Sequence, residues 1–386
     1  MLCGDFAYQV QSVAVAWHVY TLAHRPFDLG LVGLALFLPT FVLAVPAGLY
    51  ADRHDRRRIV AIALLVEALC VGSFIVAIDL GIRSLAVYLV ILTAIGIARA
   101  LGTPAERSLL PSIVAPETYM RVQATYASLR ELTVIGGPAL GGVLVAISTM
   151  LALGISAVAL FASALLLNGL RLEAVARSDA PPTWHDAFEG LRFIRSHPIV
   201  AGAISLDLFA VLFGGATALL PAYAADIFHL GAPGLGGLRS APAVGAALVA
   251  AWLSRYPLRR RLGPVLLTAV AIFGIATIGF GLSRNFILSL ALLATAGGAD
   301  MISVVIRSSL VQLSTPDVMR GRVNAVEAVF IGGSNQLGAF ESGTVAAFIG
   351  VVPSVVAGGL ATLAVIALWS ALFPALRRAD HLAGAQ

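Results

Sequence analysis

The sequence predicts an all-α protein that crosses a membrane twelve times, and three observations predict it. Of its 386 residues, 59% are hydrophobic and 12% are charged, far from the balance of soluble domains. Apolar runs of about 20 residues fill most of the chain, each long enough to cross roughly 30 Å of hydrocarbon as a helix. Thirty-eight Gly and 18 Pro argue against helices in water. In a bilayer they are tolerated, because small residues let helices approach closely and neighbours satisfy the freed backbone groups.

Cut at charged or Pro/Gly-rich breaks, the runs give spans at roughly 3–23, 29–51, 59–80, 84–106, 119–147, 150–170, 199–228, 236–255, 263–283, 286–308, 321–348 and 351–376. The longest polar stretch, about 171–197, carries Arg171, Arg177, Pro181, Pro182, Asp186, Glu189, Arg192 and Arg195, and it divides the spans six and six. The expected organisation is a first six-helix bundle at 1–170, a cytoplasmic linker at 171–198, and a second bundle with a short tail at 199–386. Within the linker, Phe188, Leu191 and Ile194 recur at helical spacing. They predict an amphipathic helix, either lying in the headgroup layer or packed on the bundles.

All 25 basic residues are Arg, and they set the expected orientation. With the N-terminus cytoplasmic, nineteen fall inside, among them Arg53, Arg56 to Arg58, Arg255, Arg259 to Arg261 and Arg307. Only Arg25, Arg83, Arg239 and Arg284 fall outside. Both ends are then cytoplasmic, in a cell inner membrane. The net charge of +5 lies in short loops and not on one face, which excludes a nucleic-acid partner.

The halves repeat each other. Arg107-Ser108, Pro116-Glu117 and Arg121-Val122-Gln123-Ala124 recur as Arg307-Ser308, Pro316-Asp317 and Arg322-Val323-Asn324-Ala325, offset by 200 or 201. Similar offsets set Asp5 against Asp207 and Arg99 against Asp300. A parallel duplication of six spans is the architecture of a two-bundle transporter that rocks about a site near the midplane.

The loop after span 2 reads Gly48-Leu49-Tyr50-Ala51-Asp52-Arg53-His54-Asp55-Arg56-Arg57-Arg58. It resembles the signature loop of the major facilitator superfamily, with Tyr50 and Asp55 departing from the usual residues. Together with Gly4-Asp5, the Asp-Arg-x-Asp-Arg-Arg version is similar to the enterobactin-exporter-like branch of secretion transporters. The resemblance implies a gating latch. Gly48 lets span 2 pack closely, Asp52 faces the positive N-terminus of span 11, and Arg53 and Arg56 are its ion-pair partners. Span 5 holds Gly137, Pro138, Gly141 and Gly142, which resemble the Gly-Pro-x-x-Gly-Gly core of an exporter motif; these residues predict a bend and a close crossing with span 8.

Ionisable residues inside a bilayer cost at least roughly 2.5 to 3.5 kcal/mol each on insertion scales and default to functional candidates. Asp5, Arg99, Asp207 and Asp300 fall one on each of spans 1, 4, 7 and 10, which line the cavity in the resembled fold. Arg99 is expected to pair with one of the three aspartates. Glu131 sits near mid-depth in span 5 as a second proton carrier, whereas Glu67 and Glu341 read as edge residues. A carboxylate in low dielectric takes up a proton more readily than in water, which suits coupling to protons. The aromatics Trp17, Tyr20, Phe209, Phe213 and Tyr223 read as helix contacts or, alternatively, as a stacking surface for a flat substrate.

The expectation is a secondary transporter, a proton-coupled exporter of a small amphipathic molecule (siderophore, drug or metabolite), acting as a monomer among membrane lipids. Uptake or lipid flipping is the alternative within the fold. There is no Lys and so no Walker-type nucleotide loop. Cys3, Cys70 and the seven His lack metal-ligand spacing. No cofactor and no metal are therefore expected, and without a convergent catalytic set neither an enzyme nor a receptor is favoured.

Overall fold

The computed structural model describes residues 1–114, 116–169, 184–258 and 260–378. Every regular element among them is helical. In order these are α1 (Leu2–Ala23), α2 (Pro26–Arg53), α3 (Arg56–Asp79), α4 (Leu85–Ile113), α5 (Pro116–Ile147), α6 (Thr149–Gly169), α7 (Trp184–Ser196) and α8 (Pro198–Phe213). There follow a 3-10 turn (Ala216–Leu219), α9 (Leu220–Ala222), a π turn (Tyr223–Ile227), α10 (Gly231–Arg255), α11 (Leu262–Leu282), α12 (Phe286–Ser314), α13 (Asp317–Ile349), α14 (Val351–Leu372) and α15 (Pro374–Arg377). Ten segments among the described residues are long and apolar enough to cross a membrane. Helices α1 and α13, of 22 and 33 residues, are equally long and more polar, which brings the number of membrane-length helices to twelve.

Two local departures from the sequence expectation have physical causes. The predicted run at 199–228 is broken, because the adjacent Gly214 and Gly215 end α8 and Pro221 removes a backbone donor at α9. A Cβ on Gly215 would lie 3.0 Å from the carbonyl oxygen of Gly338 on α13, so the break also permits a close backbone approach. In the loop after α2, Asp55 caps α3. Its carboxylate accepts from the backbone N–H groups of Arg57 at 2.9 Å and Arg58 at 3.4 Å, which gives that acidic residue a role a glycine cannot fill.

The chain divides into two compact units: Met1–Thr183 with Leu230–Ser240, and Trp184–His229 with Ala241–Gln386. The first is built on α1, α3, α4 and α6 around Val10, Ala14, Phe74, Tyr88, Leu92, Leu153 and Leu160, joined by Ala232 at the start of α10. Helix α5 fits this core through its glycines. A Cβ on Gly137 would lie 2.5 Å from Gln9 Cβ, and one on Gly141 would lie 3.2 Å from Val10 Cα, both on α1. On Gly142 it would lie 2.6 Å from the Ala232 carbonyl and 2.8 Å from Gly236 Cα, on the part of α10 that belongs to this unit.

The second unit centres on Leu206, Ala210, Leu266, Val270, Ile306, Leu310 and Val365. Here α10 and α12 meet backbone to backbone at Gly245 and Gly297. Helix α7 joins this unit. Phe193 and the buried Ile194 pack with Val200, Ile204, Val311 and Val323, Glu189 Oε2 accepts from Arg322 Nη1 at 2.5 Å, and Gly190 abuts the Arg322 carbonyl. Protein thus covers part of the apolar side of the linker helix; residues 171–183 of the expected linker lie outside the described residues.

The contact at Gly142 makes a prediction. Gly142→Leu should lower stability by about 1 to 3 kcal/mol through overpacking, read as a lower thermal midpoint in detergent. Gly136→Leu should not lower it, since a Cβ there meets nothing within 4 Å.

Candidate functional site

Charged side chains gather in three places. In the first unit, α3 carries Glu67, which is 3% exposed. Its Oε1 accepts from Gln11 Nε2 of α1 at 2.8 Å and from Arg99 Nη1 of α4 at 3.3 Å. The Arg99 guanidinium also lies over the Tyr8 ring, 3.6 Å from its centroid, a cation–π contact that fixes its plane. The expectation that Arg99 pairs with Asp5, Asp207 or Asp300 is therefore corrected, and so is the reading of Glu67 as an edge residue. The sequence gives depth along a helix, whereas the partner depends on rotation about its axis.

The second place is the end of the same unit where α1, α4 and α5 meet. Asp5 Oδ2 accepts from Tyr126 OH at 3.1 Å and lies 3.7 Å from Arg130 Nε. Glu106 is within electrostatic reach of Asp5, Arg99 and Arg130. The second unit holds its repeat. Asp207 of α8 is ion-paired with Arg307 of α12, whose Nε lies 3.5 Å from Glu327 Oε1 of α13. Positions 106 and 307, like 126 and 327, are 201 residues apart. The same corner is thus polar in both repeats, with the cation on the fifth helix in one and on the fourth in the other. Arg307 is 4% exposed, a buried member of an ion-pair cluster and not a solvated loop arginine.

The third place is a small recess in the second unit, lined by Asp207, Ala210, Val211, Val270, Phe273, Ala299, Asp300 and Ser303. Asp300 is half-buried and has no ion-pair partner among the described residues. It therefore stands beside Asp207, whose charge Arg307 already balances. Glu131 is also half-buried and without an ion pair among the described residues. Glu341 accepts from the neighbouring Ser342 hydroxyl, at 3.4 Å.

The remaining candidates are dispersed. Gly48 has open space around it, Arg53 is exposed, Arg56 is half-buried at the start of α3, and the Asp52 side chain lies outside the described residues. Tyr20 and Tyr223 are fully buried, and Tyr223 OH donates to the Gly281 carbonyl at 3.0 Å. Phe209 packs on Trp369, with ring centroids 5.1 Å apart. These three are core contacts. The described residues contain no cluster of three or more His, Cys, Asp or Glu fit to hold a metal ion.

A profile of the transmembrane secretion effector family matches residues 1–384. The chain belongs to that family. It is a multi-pass transporter of the major facilitator superfamily. Among its relatives, the enterobactin exporter EntS of Shigella dysenteriae is 28% identical over 91% of this chain and 85% of its own. That of Citrobacter koseri is 28% identical over 95% and 88%. Solved structures share the fold at low identity. A bacterial homologue of the human lysosomal transporter Spinster, inward-facing and occupied, has a TM-score of 0.76 at 16% identity, covering 97% of this chain and 96% of its own. A bacterial homologue of the iron transporter ferroportin, inward-facing, has a TM-score of 0.72 at 18% identity, covering 98% and 96%.

Sequence reasoning missed Gln11, Glu67, Glu106, Arg307 and Glu327 as partners. The 201-residue offset that exposed Arg99 and Asp300 would have found Glu106 opposite Arg307 and Tyr126 opposite Glu327. The buried pair yields a prediction: Arg307→Gln strands Asp207 and Glu327 and should cost about 3 to 5 kcal/mol. Asp207→Asn should cost less, because Arg307 keeps Glu327. Denaturant unfolding in detergent measures both, and equal stability in all three proteins would mean that the pair carries no structural load.

Proposed function

We propose that this family member exports a small amphipathic molecule, a siderophore, drug or metabolite, in exchange for protons, and that Asp300 carries the proton. The observation behind it is the contrast between the two aspartates of one recess: Asp207 is neutralised by Arg307, whereas Asp300 shares the recess with Asp207, Ser303 and apolar side chains and has no ion-pair partner among the described residues. A carboxylate whose charge no cation balances exchanges a proton with water instead of holding an ion pair. Protonation removes the cost of exposing it to low dielectric, so the two protonation states favour different arrangements of α8, α11 and α12. Membership of a secretion family and the enterobactin exporters among its relatives favour the outward direction.

In this reading the protein sits in the inner (plasma) membrane, both ends in the cytoplasm, and works as a monomer among lipids. The excess of arginines on one side supports the orientation. Asp52, with Arg53 and Arg56, latches the inner face between cycles, while Gly137 and Gly141 keep α5 close to α1 and Pro138 and Gly142 keep it close to the start of α10.

The test uses inside-out vesicles with a pH-sensitive dye. Asp300→Asn should abolish the dependence of transport on pH and lower proton-driven accumulation at least about tenfold, while downhill flux of the same substrate persists. Unchanged coupling in that variant, with loss in Glu131→Gln, would move the proton to α5.

A further inference from the structure

We infer that the first unit takes the negative charge of its substrate, an organic oxyanion such as an aromatic carboxylate, between Arg239 of α10 and Arg99 of α4, beside Tyr8 and Ser12 of α1. The inference rests on the export reading and adds a substrate class to it.

Arg239 was expected outside the membrane, but α10 begins at Gly231. At 1.5 Å per residue the side chain starts roughly 12 Å into the helix. All four residues belong to the first unit. Arg239 Nη1 donates to Ser12 Oγ at 2.9 Å. The Ser12 hydroxyl gives its own proton to the Gln9 carbonyl at 2.8 Å, so toward Arg239 it is an acceptor. It orients the guanidinium without neutralising it. Among the described residues no carboxylate lies within ion-pair distance of Arg239.

The other charged groups nearby are committed. Glu67 is held by Gln11 and Arg99, and Glu106 lies within electrostatic reach of Arg99 and Arg130, which favour its charge, and of Asp5, which opposes it. Tyr8 lies within electrostatic reach of both guanidiniums. A cation inside a membrane span without a counter-ion is a costly arrangement, and both arginines are half-buried and partly accessible. Each guanidinium has five N–H donors in a planar fork matched to a carboxylate. Arg239 spends one on Ser12 and Arg99 spends one on Glu67, so donors remain for a shared oxyanion. A neutral or cationic substrate would leave Arg239 uncompensated.

A lipid phosphate offers similar chemistry, and the test separates the two. The full-length protein in nanodiscs of zwitterionic lipid is titrated with benzoate and salicylate against benzamide and salicylamide, and thermal stabilisation is recorded. The acids should stabilise and the amides should not. Arg239→Gln should weaken the effect of the acids roughly tenfold, the loss expected for a charge-assisted hydrogen bond, and Arg239→Lys should retain most of it. Equal effects of acids and amides, no effect of any acid, or indifference to Arg239→Gln overturns the inference. An Arg239-dependent shift produced by phosphatidylglycerol nanodiscs and not by the soluble acids overturns it in favour of a lipid headgroup. Acid binding that depends on Arg239 in a protein that moves no solute would sink the export reading alone. Export that ignores both substrate charge and Arg239 would sink this inference alone.

Discussion

An ionised side chain in hydrocarbon must find a partner, and that constraint organises both units. Each repeat brings its charges together where its first, fourth and fifth helices meet: Asp5 with Tyr126 and Arg130, and Asp207 with Arg307 and Glu327. A buried pair of this kind adds little net stability over an apolar contact, yet removing one member leaves an uncompensated charge. It therefore fixes helix rotation more than it holds the bundle together. The bundle itself is held by van der Waals contact, with glycines at α1–α5 and α10–α12 bringing backbones close.

Against that background the unbalanced groups carry the functional argument. Asp300 has a carboxylate for its neighbour and no cation among the described residues; Arg239 has a hydroxyl and a phenol. One suits a proton and the other an anion, and they fall in different units.

Much of this was legible in the sequence. Apolar length gave the spans, and the Asp52 loop gave the superfamily. The 201-residue offset marked Arg99 and Asp300. Partners were not legible, because a span tells how deep Glu67 sits but not which way it points. With a span expected from 236, Arg239 fell at its outer end, whereas α10 begins five residues earlier, at Gly231, and sets Arg239 about two turns into the helix. Asp55 looked like a departure from the loop pattern until its capping hydrogen bonds to α3 were seen.

Infrared difference spectroscopy of the protein in lipid, with and without transported substrate, tests the central claim most directly, because a carboxyl group changes its C=O stretch when it gains or loses a proton. The account predicts a substrate-dependent carboxyl band that disappears in Asp300→Asn and persists in Asp207→Asn and Glu67→Gln. A band that survives Asp300→Asn, or one that vanishes only with Glu131→Gln, would contradict it.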